Sequence, residues 1–127
     1  MNKGFTLIEL LIVVVMVGVL VGIGLPKYQR AAERGRALEG LNNARYVADY
    51  IYTKQLVSGV TPQSVSDIVS KKNFEDPVIV GNTVTVSRKS GSGWSYSFVA
   101  TFDTEGNVTV VCSPSSPGDD TCTQLGF

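Results

Sequence analysis

From residue 10 to residue 25 the chain carries no polar side chain at all. With residues 5–9 in front of it, this run makes a helix of about 31 Å at 1.5 Å per residue, long enough to cross the hydrocarbon core of a bilayer. After Pro26 the pattern changes without ending. Ala31, Leu38, Leu41, Ala44, Ala48, Ile51 and Tyr52 recur at spacings near three and four, with Arg30, Arg34, Glu39, Arg45 and Asp49 between them. The spacing predicts an amphipathic helix that continues to about residue 57 and stops at Ser58-Gly59, ahead of Thr61-Pro62. Its apolar face should pack on a globular head, and Gly35 and Gly40 mark places where packing can be close.

Residues 58–77 read as a connecting loop, with a short helix over 64–69 and an exposed polar bridge over 71–77. The period then becomes two. Residues 78–86 are β-branched and broken by Gly81-Asn82, residues 94–102 alternate, and residues 107–112 are β-rich again. Trp94, Tyr96, Phe98, Ala100 and Phe102 share one strand face, which should cover the helix. Lys89-Ser90-Gly91-Ser92-Gly93 and Asp103-Thr104-Glu105-Gly106 supply hairpin connections. The predicted class is α+β: one long N-terminal helix, membrane-spanning in its first half and amphipathic in its second, packed on an antiparallel sheet of three to four strands over 78–112.

Glu9 stands out because a carboxylate beside an apolar helix costs a few kcal/mol unless it reaches an interface or a cationic partner. Charge adds less. The 11 basic and 11 acidic residues cancel, so no overall basic field points to nucleic acid, which is left open as a partner without support. Lys27, Arg30, Arg34 and Arg36 cluster after the span and read as a solvated helix face or a contact with anionic lipid headgroups. Lys71, Lys72, Arg88 and Lys89 could form a basic patch on the head, although separated loop charges more often serve solvation. With no His, no nucleophile elbow and no phosphate loop, the sequence offers no catalytic, cofactor or metal site, and the expectation is a non-enzyme without cofactors.

Gly4-Phe5-Thr6-Leu7-Ile8-Glu9, the apolar run and Pro26-Lys27-Tyr28-Gln29 together closely resemble the N-terminus of a type IV pilin precursor. The resemblance implies that residues 1–4 are a leader removed by a prepilin peptidase between Gly4 and Phe5, that Phe5 is then N-methylated, and that residues 5–26 remain as a transmembrane and filament-core helix. A secretory signal would instead end in a small-residue cleavage site after its apolar region, where this chain has Leu25-Pro26-Lys27-Tyr28. Residues 27–127 become the head of a pilin fold. Glu9, in the first turn of the processed helix and suited to its dipole, would attract the N-terminal amine of a neighbouring subunit and set the axial register. Gly18 and Gly22 make a small-xxx-small pattern for close helix approach, and with Gly24 and Pro26 they weaken the helix where assembled filaments of the family lose helicity.

Charge counting would keep the basic cluster on the cytoplasmic side, but long domains translocate regardless of flanking charge. The resemblance puts residues 1–4 in the cytoplasm and residues from 27 onward outside the inner membrane. In that oxidising compartment Cys112 and Cys122, the only cysteines, are expected to pair, closing a variable surface loop and leaving a short C-terminal tail beyond it; free thiols are the alternative. Asp119-Asp120 could contribute to a calcium site as in related pseudopilins, though a solvated turn after Pro117-Gly118 is the simpler reading. Asn107-Val108-Thr109 matches a glycosylation acceptor, at a strand start rather than in an open loop. Tyr28, Tyr46, Tyr50, Tyr52 and Phe5 are explained by packing and subunit contacts rather than electron transport.

The function implied is a structural subunit that polymerises through its N-terminal helix into an extracellular filament for adhesion, twitching motility or DNA uptake. Its partners would be identical subunits, the prepilin peptidase, a platform membrane protein and an assembly ATPase, with the inner membrane holding the precursor. The alternatives are a pseudopilin of a type II secretion system, or a low-copy minor pilin that binds DNA or a surface ligand.

Overall fold

The computed structural model describes residues 4–127, so residues 1–3 of the expected leader lie outside the described residues. The elements are α1 (Leu7–Ser58), β1 (Val78–Val80), β2 (Thr83–Ser87), β3 (Tyr96–Phe102), β4 (Val108–Pro114) and α2 (Thr121–Leu125). Two compact units divide the chain, Met1–Ala32 and Glu33–Phe127.

In the first unit α1 passes through Pro26 without interruption. Proline is tolerated there because the loss of one intrahelical donor costs about 3 kcal/mol, which a long apolar helix can absorb without breaking. Every large apolar side chain from Leu7 to Leu25 is at least 46 % exposed. A Cβ added at Gly18, Gly22 or Gly24 would meet nothing within 4 Å.

In the second unit α1 and the sheet share one core. The four strands form an antiparallel meander in chain order, with Gly81-Asn82 turning β1 into β2 through a positive φ of 57° at Gly81. The inward positions of β3, Tyr96, Phe98, Ala100 and Phe102, are all buried, as the alternation predicts. They are in register with inward neighbours on both sides: Val84 and Val110 flank Ala100, and Val86 and Cys112 flank Phe98. Aromatic rings fill this layer, with Tyr96 edge-on to Phe98 at 5.7 Å and Phe74 edge-on to Tyr96 at 6.1 Å. Trp94 lies just before β3, half-buried, where the hydroxyl of Ser92 both donates to its carbonyl and accepts from its N–H.

The helix face that meets the sheet is made of small residues, two β-branched ones and one charge: Glu33, Ala37, Gly40, Ala44, Val47, Ala48 and Ile51. Ala31 and Leu38, expected on that face, are exposed. Each residue turns a helix by about 100°, so Leu38 is carried off the stripe that holds Ala37, and the rings of the sheet favour small residues at 37, 40, 44 and 48. Gly40 shows why. A Cβ there would sit 2.4 Å from the ring of Phe74, which is fully buried.

Phe74 also corrects the reading of residues 71–77 as an exposed bridge. It pairs with Arg88 as an isolated antiparallel bridge, and its ring fills the notch that Gly40 leaves. Glu39 holds the same segment to α1, accepting from Ser70 Oγ at 2.8 Å and Asn73 Nδ2 at 2.6 Å. The short helix expected over 64–69 is replaced by turns and bends around buried Val65. Val65, Ile68 and Val69 have the helical spacing, but all three are β-branched and six residues are too few to offset the cost of nucleating a helix. Beyond β4, α2 is an element the hydrophobic pattern did not reveal; Leu125 and Cys122 bury its inner side.

Glu33 is the one buried charged residue among the described core positions, and three donors converge on it. Arg88 Nε donates to Oε1 at 2.6 Å and its NH2 to Oε2 at 3.2 Å; the Tyr96 hydroxyl donates to Oε1 at 2.8 Å; Arg36 NH1 donates to Oε2 at 3.2 Å. Arg88 is itself only 7 % exposed in its side chain and lies 5.7 Å over the Phe74 ring. The cluster therefore fixes α1 against the end of β2 and the start of β3. Burial pushes the Glu33 carboxyl up, but the hydrogen bonds from Arg88, Tyr96 and Arg36 and the Arg88 charge outweigh it and hold the group below its ordinary value. Burial and the Glu33 carboxylate push the Tyr96 phenol well up, so it stays a donor at any physiological pH.

Two outcomes follow for the full-length protein in detergent. Gly40→Ala gains about 1 kcal/mol of helix propensity but forces the Phe74 ring to move at a cost of about 1–3 kcal/mol, so the thermal midpoint should fall rather than rise. Glu33→Gln leaves the Arg88 cation buried without its counter-ion and should cost about 3 kcal/mol. A carboxyl whose folded pKa is depressed gives stability above its unfolded pKa, near 4.3, and loses it as pH falls through the folded value. The midpoint of the native protein should therefore drop below about pH 4, and thermal melts across pH should show a shallower acid drop in Glu33→Gln.

Candidate functional site

The N-terminal motif comes first. Gly4 and Phe5 are exposed and precede α1, which begins at Leu7. Thr6 caps the helix: its main-chain N–H and its hydroxyl both donate to Glu9 Oε2 at 3.0 Å, while the Glu9 N–H reaches the Thr6 oxygen at 3.4 Å. This reciprocal arrangement is a capping box, and it satisfies orphan donors at the helix start. The Thr6-Leu7-Ile8-Glu9 spacing ahead of an apolar run is its sequence signal, which reading Glu9 for its charge alone passes over. Glu9 is thus held at the exposed first turn beside the Gly4-Phe5 bond. Its Oε1 takes no hydrogen bond among the described residues, so one oxygen can still accept from an incoming amine.

Gly18, Gly22 and Pro26 all lie on the exposed stretch of α1. A face without Cβ atoms at 18 and 22 lets another backbone come close, because dispersion falls off steeply with separation.

Cys112 on β4 and Cys122 on α2 are joined by a disulfide with a Cα–Cα distance of 5.8 Å. The bridge closes a loop of 10 residues' separation, for which chain entropy gives a stabilisation of about 3 kcal/mol. It ties α2 to the last strand. The following turn is closed by the Phe127 N–H donating to the Cys122 carbonyl at 2.9 Å, and the Phe127 ring packs edge-on to Phe98 at 5.3 Å.

Other sequence candidates are spent within the head. The basic patch is dismantled: Arg88 is buried on Glu33, Lys71 pairs with Asp76 at 3.0 Å, and Lys89 Nζ donates to the Lys71 carbonyl. Arg88 was legible only as a loop charge, since its partner is 55 positions away. Asp119-Asp120, the calcium candidate, also takes local hydrogen bonds. Asp119 accepts from the N–H and hydroxyl of Thr121, and Asp120 from Gln124 Nε2, so both carboxylates close the turn into α2. Among the described residues no group of three His, Cys, Asp or Glu side chains is placed to hold a metal. The Asn107 amide, the glycosylation candidate, donates to Asp103 at 2.8 Å. Hydrogen bonds from the Asn107 side chain and main chain hold the Asp103 carboxyl below its ordinary value.

Comparison with known proteins converges on this arrangement. Residues 1–25 match the model of the prokaryotic N-terminal methylation motif. The chain is 32 % identical over 101 residues to the type IV major pilin protein PilE1 of Neisseria gonorrhoeae, covering 73 % of this chain and 46 % of that one. It is 26 % identical over 108 residues to the type IV major fimbrial protein FimA of Dichelobacter nodosus, covering 85 % of this chain and 69 % of that one. With a fimbrial protein of Pseudomonas aeruginosa it shares 39 % over 67 residues, 49 % of this chain and 44 % of the relative. The matched segment thus spans about half the length of the Neisseria and Pseudomonas relatives. In its methylation motif, its long helix on a four-stranded antiparallel sheet and its relatives, the chain is similar to the type IV pilins.

Proposed function

We propose that the chain is a structural subunit of a type IV pilus, stored in the inner membrane by residues 5–26 and polymerised through that helix into an extracellular filament. The observation that carries this reading is the apolar half of α1, whose large side chains from Leu7 to Leu25 are all exposed and lie within the matched methylation motif. Such a surface is stable only in lipid or against other apolar helices, and a filament of identical copies supplies the second.

In this reading the peptidase cuts between Gly4 and Phe5, and Phe5 carries the methylated amine into the assembled state. The leader stays cytoplasmic and the head lies outside the inner membrane. Glu9 retains its Thr6 cap through Oε2 and offers Oε1 to the Phe5 amine of a neighbour, which sets the register and offsets the burial of its charge. Gly18, Gly22 and Pro26 let the helices approach and then lengthen as the filament forms. A platform protein and a cytoplasmic ATPase drive the extraction, since burial of one helix among others in water follows only after it has left lipid. The relatives are major pilins and fimbrial proteins, so the pseudopilin and minor-pilin readings are not favoured. The structural role also leaves no task for an active site.

Intact mass spectrometry of filaments sheared from the cell surface tests the reading. The dominant species should begin at methylated Phe5 and be two hydrogens light for the Cys112–Cys122 bridge. Glu9→Ala should still be cleaved and inserted, while its share in filaments falls about tenfold or more, the loss of one charge-assisted hydrogen bond. A chain that keeps residues 1–4, or that is processed yet never leaves the membrane, would contradict the proposal.

A further inference from the structure

One end of the head opens beside the core and has no role in the processing described above. There the last turns of α1, the β1–β2 turn and the β3–β4 loop enclose a groove of about 330 Å³, walled by Tyr52, Leu56, Asn82, Phe102, Asp103 and Thr104. Its inner wall is aromatic, with Tyr52 edge-on to buried Phe102 at 6.1 Å. Its rim is apolar on the helix side, where Leu56 is 68 % exposed. On the loop side the rim is acidic. Asp103 accepts from the N–H groups of Glu105 and Asn107 at 2.9 Å and from the Asn107 amide at 2.8 Å, and Glu105 is exposed beside it. Those bonds hold the Asp103 carboxyl in its charged form, pointing from a fixed turn. The nearby Lys54 ammonium is drawn over the Tyr50 ring at 5.6 Å.

A segment with the opposite character stands elsewhere in the chain. Tyr28 is 71 % exposed and has Lys27 and Arg30 beside it, both exposed and in no ion pair among the described residues. An aromatic anchor flanked by cations fits an aromatic groove with an anionic rim: the ring supplies contact area, and the rim charges choose the partner and the orientation.

We propose that this groove receives Tyr28 of a second copy of the chain, with that copy's Lys27 and Arg30 set against Asp103 and Glu105. The contact joins two different surfaces, so each subunit offers both a groove and an anchor. Heterologous contacts of this kind form a ring where the rotation closes and an open helical array where it does not, and the filament reading is the second case. The inference rests on the filament reading and deepens it by naming where one head meets the next subunit.

Paired cysteines in the full-length chain test it in sheared filaments. Tyr28→Cys with Thr104→Cys should give, after mild oxidation, a ladder of linked chains on a non-reducing gel and a cross-linked peptide joining positions 28 and 104 of different chains. Tyr28→Cys with Ser90→Cys, whose second cysteine lies in the β2–β3 connection, should give none. Charge reversal supplies an independent readout should the cysteine pair fail to assemble. Glu105→Lys alone and Lys27→Glu alone should each lower filament yield about fivefold, the value of one rim charge pair, and the two together should restore most of it. Filaments that form normally but show neither the 28–104 link nor rescue by the double reversal would overturn the groove contact alone. If the unaltered protein forms no filaments, the filament reading fails and the contact fails with it.

Discussion

An apolar helical stretch that its own chain leaves bare is the constraint on which everything else depends. Fifteen large apolar side chains between Leu7 and Leu25 are exposed. At about 1.5–3 kcal/mol for each one removed from water, their burial is worth on the order of tens of kcal/mol, more than the net stability of a typical domain. The protein therefore exists in states defined by what covers that helix. The capping box of Thr6 and Glu9 lets the segment begin with its end groups satisfied, and the same carboxylate keeps one oxygen open at the boundary.

The head answers a different demand, because its half of α1 must be gripped along a narrow face. Small residues at 37, 40, 44 and 48 let the aromatic layer of the sheet come close, and Phe74 enters the space that Gly40 leaves. Close packing of this kind does not by itself fix where the sheet sits along the helix. Glu33 does so: its carboxylate must meet Arg88, Tyr96 and Arg36 together, and sliding by one residue would leave a buried charge unpaired. At the other end of the chain the disulfide fastens α2 to the sheet, so the last residues join the same core.

Much of this was legible in the sequence because local periodicity decides it. The alternation from Tyr96 to Phe102, the break at Gly81-Asn82 and the unbroken apolar run each settle a segment from within. What stayed hidden depends on partners far along the chain. Arg88 reads as a loop charge and nothing local sets Glu33 apart until the fold brings positions 55 residues apart together, and Phe74 reads as part of a polar loop until the notch at Gly40 exists to receive it. Leu38 and Ala31 misled because apolar spacing marks several helix faces, and the aromatic sheet selects the one with the least bulk. At the N-terminus the motif spoke for Glu9 through its charge, whereas Thr6 became visible as its partner only when the hydrogen bonds were drawn.

The central claim is that the bare half of α1 is covered by copies of itself. A helical reconstruction of surface filaments by electron cryo-microscopy tests it most directly. The expected density shows residues 7–25 of every subunit packed against one another along the filament axis, with the heads outside and the Glu9 carboxylate against a neighbour's Phe5 amine. A filament whose core is built from the heads, with residues 7–25 lying outside it or absent, would contradict the claim.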